Sequence, residues 1–254
     1  MDIFQAIVIG AIEGFTEFLP ISSTGHMIVA SKFLGVEQSS VIKAYEVIIQ
    51  FAAILAVILL YREKINLKEI KLWEKVFVAF LPIAIVGFLL KDWIKSIFSV
   101  EIVATMFIVG GIIFLIVEYF HKDNKSTAKE IEEVSWTQAL WIGFGQIFSL
   151  IPGTSRAGST IIAGMLSGVS RKTSTEFSFL LAIPVMMAVS GYDLLKHYHE
   201  FIGADLTPFL IGFVVAFVVA YLTIKLLIVF LQRFTFVAFG IYRILFGVFL
   251  LMII

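Results

Sequence analysis

Not one of the 254 residues is cysteine, so disulfides, thiolate metal sites and cysteine nucleophiles are excluded. Any nucleophile must be an oxygen or an imidazole. Charge is scarce as well: Asp, Glu, Lys and Arg make up 15% of the chain, against about 25% in soluble domains. The two signs cancel, 19 basic against 19 acidic, which leaves no basic face for a nucleic-acid backbone. GxGxxG and P-loop patterns are absent, so nothing points to a soluble nucleotide. The opening stretch MDIFQAIVIGAIEGF lacks the basic start and small-residue cleavage site of a signal peptide, and is expected to stay in the mature protein. What the chain has in plenty is apolar surface, 60% hydrophobic residues with a mean hydropathy of +1.01, which marks an integral membrane protein.

Apolar runs near 20 residues predict transmembrane helices at about 44–61, 76–90, 102–120, 176–195, 208–231 and 236–254. Two longer stretches, about 3–34 and 136–166, are each broken near the middle by Pro and Gly. Irregular backbone at membrane depth is tolerated only inside protein or beside water, so each is expected to be a re-entrant helical hairpin. The predicted fold is an all-α integral membrane protein with six transmembrane helices plus two re-entrant helical hairpins.

The two broken stretches resemble each other. Ala6 to Gly10 lies over Ala139 to Gly143, Glu13 over Gln146, Pro20 over Pro152, Ser23 over Ser155, and Gly35-Val36 over Gly168-Val169. Such ordered matches predict an internal repeat, making one transmembrane domain of two halves, about 1–121 and 136–254, joined by the polar loop 122–135. That loop reads as solvated and of no chemical interest. Three crossings between the hairpins would invert one half relative to the other, which places a site at the midplane. On that arrangement Arg62, Lys64, Lys68, Lys71, Lys75, Lys122, Lys125, Lys129, Arg171, Lys172 and Arg233 share one face. Lys32, Lys43, Lys91, Lys95 and Lys196 share the other. The first face is then cytoplasmic, both termini and hairpin 1 lie outside, and hairpin 2 enters from the cytoplasm.

The stretch 13–26, EGFTEFLPISSTGH, concentrates polar groups where an ionised side chain costs roughly 2.5 to 3.5 kcal/mol. Glu13 and Glu17, spaced i, i+4, share a helix face and could hold a divalent cation, share a proton, or divide into base and orienter. Ser22, Ser23 and Thr24 read as the N-cap region of a following helix, whose free N–H groups form an anion site. His26 lies one turn beyond Ser23, in reach of its hydroxyl as a base. The second box, 152–160, PGTSRAGST, adds Arg156, a planar cation matched to phosphate, with Gly153 and Gly158 allowing close backbone approach. Glu46 and Glu176 read as helix-start residues favoured by the dipole. Glu118 and Lys225 read as snorkelling near span ends, and Arg243 is left open between snorkelling and internal pairing.

These motifs resemble the bacterial undecaprenyl-diphosphate phosphatases, the bacitracin-resistance family, over essentially the whole chain. The resemblance rests on the E-x-x-x-E spacing of Glu13 and Glu17, on SSTGH at 22–26, and on the box P-G-x-S-R-S-x-x-T read here as 152–160. Ala157 stands where that box has its second serine, and Ser155 or Ser159 would have to cover that hydroxyl. The resemblance implies hydrolysis of undecaprenyl diphosphate to the monophosphate, the lipid carrier of peptidoglycan synthesis, with bacitracin resistance. It also implies a multi-pass protein of the bacterial cytoplasmic (inner) membrane whose site opens outward. The expected catalytic set is Glu13, Glu17, Ser23, His26 and Arg156, with Ser23 as nucleophile and His26 as base or acid; water activated at Glu17 is the competing version. Ser22, Thr24, Gly153, Ser155, Ser159 and Thr160 are expected to bind substrate, and Glu13 and Glu17 to hold Mg2+ or Ca2+. The partners are a polyprenyl diphosphate lipid and the bilayer, with a homo-oligomer as an option and no nucleic acid. A transporter or flippase of a polyprenyl phosphate or another anion is the alternative, since broken helices in inverted repeats also describe carriers.

Overall fold

The structure, a computed structural model, describes residues 1–36, 39–197, 199 and 205–253, so Ile254 at the end of the last expected span lies outside it. The side chain of Lys43 does too. Among the described residues the elements are helical: α1 (Ile3–Thr16), α2 (Ser23–Phe33), α3 (Ser40–Leu60), α4 (Ile70–Leu89), α5 (Lys91–Ser96), α6 (Val100–Phe120), α7 (Trp136–Gln146), α8 (Arg156–Leu166), α9 (Arg171–His197), α10 (Thr207–Leu231) and α11 (Val237–Ile253). The one extended pairing among them is a single bridge between Ala128 and Val169.

Among the described residues four segments are long and apolar enough to cross a membrane: Leu67–Leu89, Val100–Phe120, Arg171–Lys196 and Thr207–Leu231. Of the other two expected spans, α3 at Ser40–Leu60 is as long as α6, while Val237–Ile253 forms a shorter apolar helix, as does Ile3–Thr16.

Local chemistry explains where the broken stretches start and stop. α1 opens on a reciprocal cap between Asp2 and Gln5, and α7 on the same device between Ser135 and Gln138. α2 and α8 both end on a glycine with positive φ, Gly35 at 64° and Gly168 at 87°. In each the next residue's N–H reaches back a full turn, Val36 to the Ser31 carbonyl and Val169 to that of Gly164. α1 packs on α10, and α7 on α4. A Cβ at Gly10 would stand 2.4 Å from the Gly212 carbonyl oxygen, and one at Gly143 would stand 2.4 Å from that of Ala79. Close backbone approach through small residues is how helices associate where hydrocarbon offers no hydrophobic drive. α3 packs against α9 and α6 against α11.

Three expectations are corrected. Glu46 and Glu176 lie in the second turns of α3 and α9, beyond the first turn where the dipole acts. Glu118 does not snorkel: it is buried and takes the Arg171 guanidinium at 2.5 Å. The loop 122–135 is not merely solvated, because Ala128, Ile131 and Val134 bury in the main core and Asp123 accepts the Arg171 N–H at 2.9 Å.

Candidate active site

The chain breaks between α1 and α2 over 17–22, and between α7 and α8 over a 3-10 turn (Ile147–Leu150) and the residues to 155. Pro20 and Pro152, which cannot donate to a helical ladder, lie inside the two breaks. Each new half-helix is then launched from a serine with positive φ, Ser22 at 65° and Ser155 at 73°. Neither is glycine, and a non-glycine residue held there stores about 1 to 3 kcal/mol of strain.

This geometry corrects the alignment of the two motifs. Ser22, not Ser23, is the counterpart of Ser155, because both are N-caps. Ser23 and Arg156 are therefore equivalent first residues of α2 and α8. Glu17 lies between them: its Oε2 accepts from Ser23 Oγ at 2.8 Å and its Oε1 from Arg156 Nη2 at 3.2 Å. The Arg156 Nη1 also donates to the Ser178 carbonyl at 3.1 Å, and its guanidinium lies 5.8 Å from the Phe18 ring centre. Phe18 is itself pinned edge-on against Phe179 at 5.4 Å. The carboxylate that links the two tips is thus held by packing as well as by charge.

A cavity of about 170 Å3 opens here, lined by Glu17, Ser22, Ser23, Thr24, Gly153, Ser155 and Arg156 among others. Gln50 and Ser149 also line it, and neither was singled out from the sequence. The signal for Gln50 was present, an amide inside the otherwise apolar run of α3. Glu13 is 1% exposed and sits directly behind, the Glu17 N–H bonding to its carbonyl at 3.0 Å, while its own Oε1 is buried without a partner.

Other expected residues fall elsewhere. Ser159 donates to the Ser155 carbonyl at 3.0 Å, and the buried Thr160 donates toward the backbone of its own turn and meets Ser178 Oγ at 2.6 Å. Both brace α8 and are absent from the cavity wall. Ala157 is fully buried with Phe114, Ile161 and Phe236, so a hydroxyl at that position would meet an apolar cluster and not the cavity. His26 is not brought to Ser23. Its Nδ1 faces the Ser22 carbonyl at 2.8 Å, its Nε2 faces the Tyr242 hydroxyl at 2.6 Å, and its ring stacks on Phe246 at 4.4 Å. The ring lines a separate apolar groove of about 710 Å3 with Phe15, Leu19, Ile21, Phe239 and Phe246. The first tip is the wall between groove and cavity.

Arg243 neither snorkels nor pairs with an acid. It is 0% exposed and donates to carbonyls alone: Pro20 at 3.0 Å, Gly153 at 3.2 Å, Met106 at 2.9 Å and Phe107 at 3.4 Å. One side chain on α11 therefore ties both tips to α6. Room for it exists because residue 110 is glycine, where a Cβ would stand 2.3 Å from Arg243 Nη2.

Comparison with known proteins gives a consistent result. The family described as bacitracin resistance protein BacA matches residues 6–249. The chain is 72% identical to the undecaprenyl-diphosphatase of Sulfurovum sp. (strain NBC37-1), with both chains fully covered. It is 63% identical to that of Sulfurimonas denitrificans and 50% identical to that of Methanococcus aeolicus, with 99% and 98% of those chains covered and 99% of this one in each case.

Proposed function

The chain belongs to the BacA family of bacitracin-resistance proteins, and on that premise we propose that it hydrolyses undecaprenyl diphosphate to undecaprenyl phosphate and inorganic phosphate. This recycles the lipid carrier for peptidoglycan synthesis and confers bacitracin resistance. It is a multi-pass membrane protein. Its layout is six spans and two re-entrant hairpins in inverted halves, about 1–121 and 136–254, in a bacterial cytoplasmic membrane with both termini and the site facing outward. The matched caps of α1 and α7, the matched glycine ends of α2 and α8, and the paired crossings at Gly10 and Gly143 support that reading.

The observation that carries the activity is Glu17 between the Ser23 hydroxyl and the Arg156 guanidinium. The C55 tail lies in the Phe-lined groove and the diphosphate reaches over the first tip into the cavity. Arg156 and the free N–H groups opening α2 and α8 hold the terminal phosphate, a planar fork and two positive dipole ends aimed at one anion. Ser23 Oγ attacks the terminal phosphorus while Glu17 takes the hydroxyl proton. The bond from that phosphorus to the bridging oxygen breaks, and the lipid monophosphate leaves with the electron pair and the proton from Glu17. Glu17 then deprotonates a water that attacks the phosphoserine, releasing inorganic phosphate and returning a proton to Ser23. Fixed donors around the transferring phosphoryl group supply the main stabilisation.

Glu13 and Glu17 would hold a divalent cation, Mg2+ or Ca2+. The fit rests on the buried, unpartnered Oε1 of Glu13 beside the Glu17 carboxylate. Among the described residues no cluster of three ionisable ligands forms, so the two carboxylates would be the protein's share of such a site. When bound, such an ion neutralises charge on the diphosphate.

The test uses purified protein in detergent, which offers a transporter no second compartment, and a polyprenyl diphosphate labelled in its terminal phosphate. Inorganic phosphate should be released, and acid quenching should trap label on the wild type but not on Ser23→Ala. No release would overturn the hydrolase assignment in favour of a carrier. Substantial turnover by Ser23→Ala would replace the serine route by direct attack of water held at Glu17.

A further inference from the structure

On the lysine-rich side of the bundle a second polar cavity, of about 260 Å3, lies where α6 ends, α8 ends and the loop 122–135 begins. Its floor is apolar, made by the buried Val117 and Met165. Its polar lip carries Lys122 and Lys125. Among the described residues neither ammonium has a hydrogen-bond or ion-pair partner, although acids are close at hand. Those acids are already committed: Glu118 and Asp123 both bind the Arg171 guanidinium, and Asp123 also takes His121 Nε2 at 3.0 Å. Three cations, Arg171, Lys122 and Lys125, thus face two carboxylates, and the lip keeps a net positive charge. At the rim Phe120 and Leu166 stand exposed, at the level where the α6 span ends and where aromatic residues meet the membrane interface.

An apolar floor, a lip of net positive charge and an exposed apolar rim at the end of a span make an amphipathic receptacle. We propose that this cavity is a binding site for the phosphodiester headgroup of an anionic membrane lipid, held by Lys122 and Lys125 with an acyl chain over Phe120 and Leu166. The site is distinct from the catalytic cavity: the two share no lining residue. The same phosphate chemistry would accept free inorganic phosphate, but that ligand makes no use of the apolar floor and rim.

Full-length protein in detergent is titrated with phosphatidylglycerol and, separately, phosphatidylcholine, and retained lipid is read by native mass spectrometry. Two lysines near a lipid surface favour the anionic lipid by roughly an order of magnitude after screening. The wild type should show that preference. Lys122→Gln/Lys125→Gln should lose most of it. Lys68→Gln/Lys71→Gln, the same charge change on the same side of the bundle, should keep the preference, and all variants should hydrolyse substrate at the wild-type rate. Equal retention of both lipids by the wild type would overturn the site. So would an unchanged preference in Lys122→Gln/Lys125→Gln, or an equal loss in Lys68→Gln/Lys71→Gln, which would mean diffuse charge. Displacement of phosphatidylglycerol by millimolar inorganic phosphate would assign the pocket to the free ion instead.

Discussion

The tip before α2 and the tip before α8 reach one backbone conformation by different routes, Pro-Ile-Ser in the first and Pro-Gly-Thr-Ser in the second, each closing on a serine with positive φ. What then follows differs in kind. The first residue of α2 is Ser23, a small hydroxyl, and the first residue of α8 is Arg156, a fixed cation, both bonded to Glu17. A duplicated scaffold carrying identical residues would give two like sites. Divergence at one equivalent position instead gives a single site with two roles, one tip supplying the attacking oxygen and the other the clamp. The same divergence recurs one helix back, where Glu13 of α1 corresponds to Gln146 of α7, so that acids stay on the side of the hydroxyl.

Removing the side chain that makes the second tip different gives the largest expected effect. Arg156→Ala takes the fork from the terminal phosphate and leaves Glu17 buried without its counter-charge, so kcat/KM should fall by roughly 1000-fold or more, about 4 kcal/mol of transition-state stabilisation. Arg156→Lys should recover only a small part, because an ammonium lacks the planar fork. Phosphate-release kinetics decide it, and near-wild-type turnover in Arg156→Ala would show that the two tips do not divide the work.

The next effect tests whether the tips must be held together. Arg243→Met keeps bulk but leaves the carbonyls of Pro20 and Gly153 buried and unpaired, at about 1 to 3 kcal/mol for each such group. Melting temperature and kcat should both drop. A variant that melts lower but turns over normally would make Arg243 a brace for the fold and not for the relation between the tips.

Much of this was legible in the sequence, for reasons that separate by range. Pro20 and Pro152, the two reciprocal caps and the two terminal glycines act through neighbours within a turn, so the breaks and ends of the half-helices could be read directly. The pairing of Ser23 with Ser155 failed by one residue, because the second tip holds one more residue between proline and cap and only backbone conformation reveals it. His26 was placed by helical spacing alone. At the first turn of a helix the Ser23 hydroxyl turns back to Glu17 across the break, while the imidazole faces the groove. Arg243 was visible as a charge in an apolar run, but its partners at 20, 106, 107 and 153 are carbonyls, which every residue carries and no composition marks.

A smaller change separates the cavity from the groove. Tyr242→Phe removes the hydroxyl at 2.6 Å from His26 Nε2 and nothing from the cavity wall. With one hydrogen bond worth about 0.5 to 1.5 kcal/mol, turnover should change by about tenfold at most, and mainly through KM for the long-chain lipid. A collapse of kcat would return His26 to the chemistry and erase the division between the two sides of the first tip.

The smallest effect lies away from both tips. Burial works against the charged form of Asp123, yet His121, the Arg171 N–H and the Arg171 guanidinium together hold its carboxyl well below the usual carboxylate range. A depressed carboxyl stabilises the fold above its unfolded value, about 3.9, and that contribution fades as pH falls below it. The side chain is 45% exposed, so the effect is modest after solvent screening. Thermal melts between pH 7 and pH 3 should therefore show a wild type that loses slightly more stability on acidification than Asp123→Asn, with phosphate release at pH 7 equal in the two. Equal acid sensitivity would mean that Arg171 is held by Glu118 alone. An activity loss in Asp123→Asn would mean that the loop joining the halves reaches the tips after all.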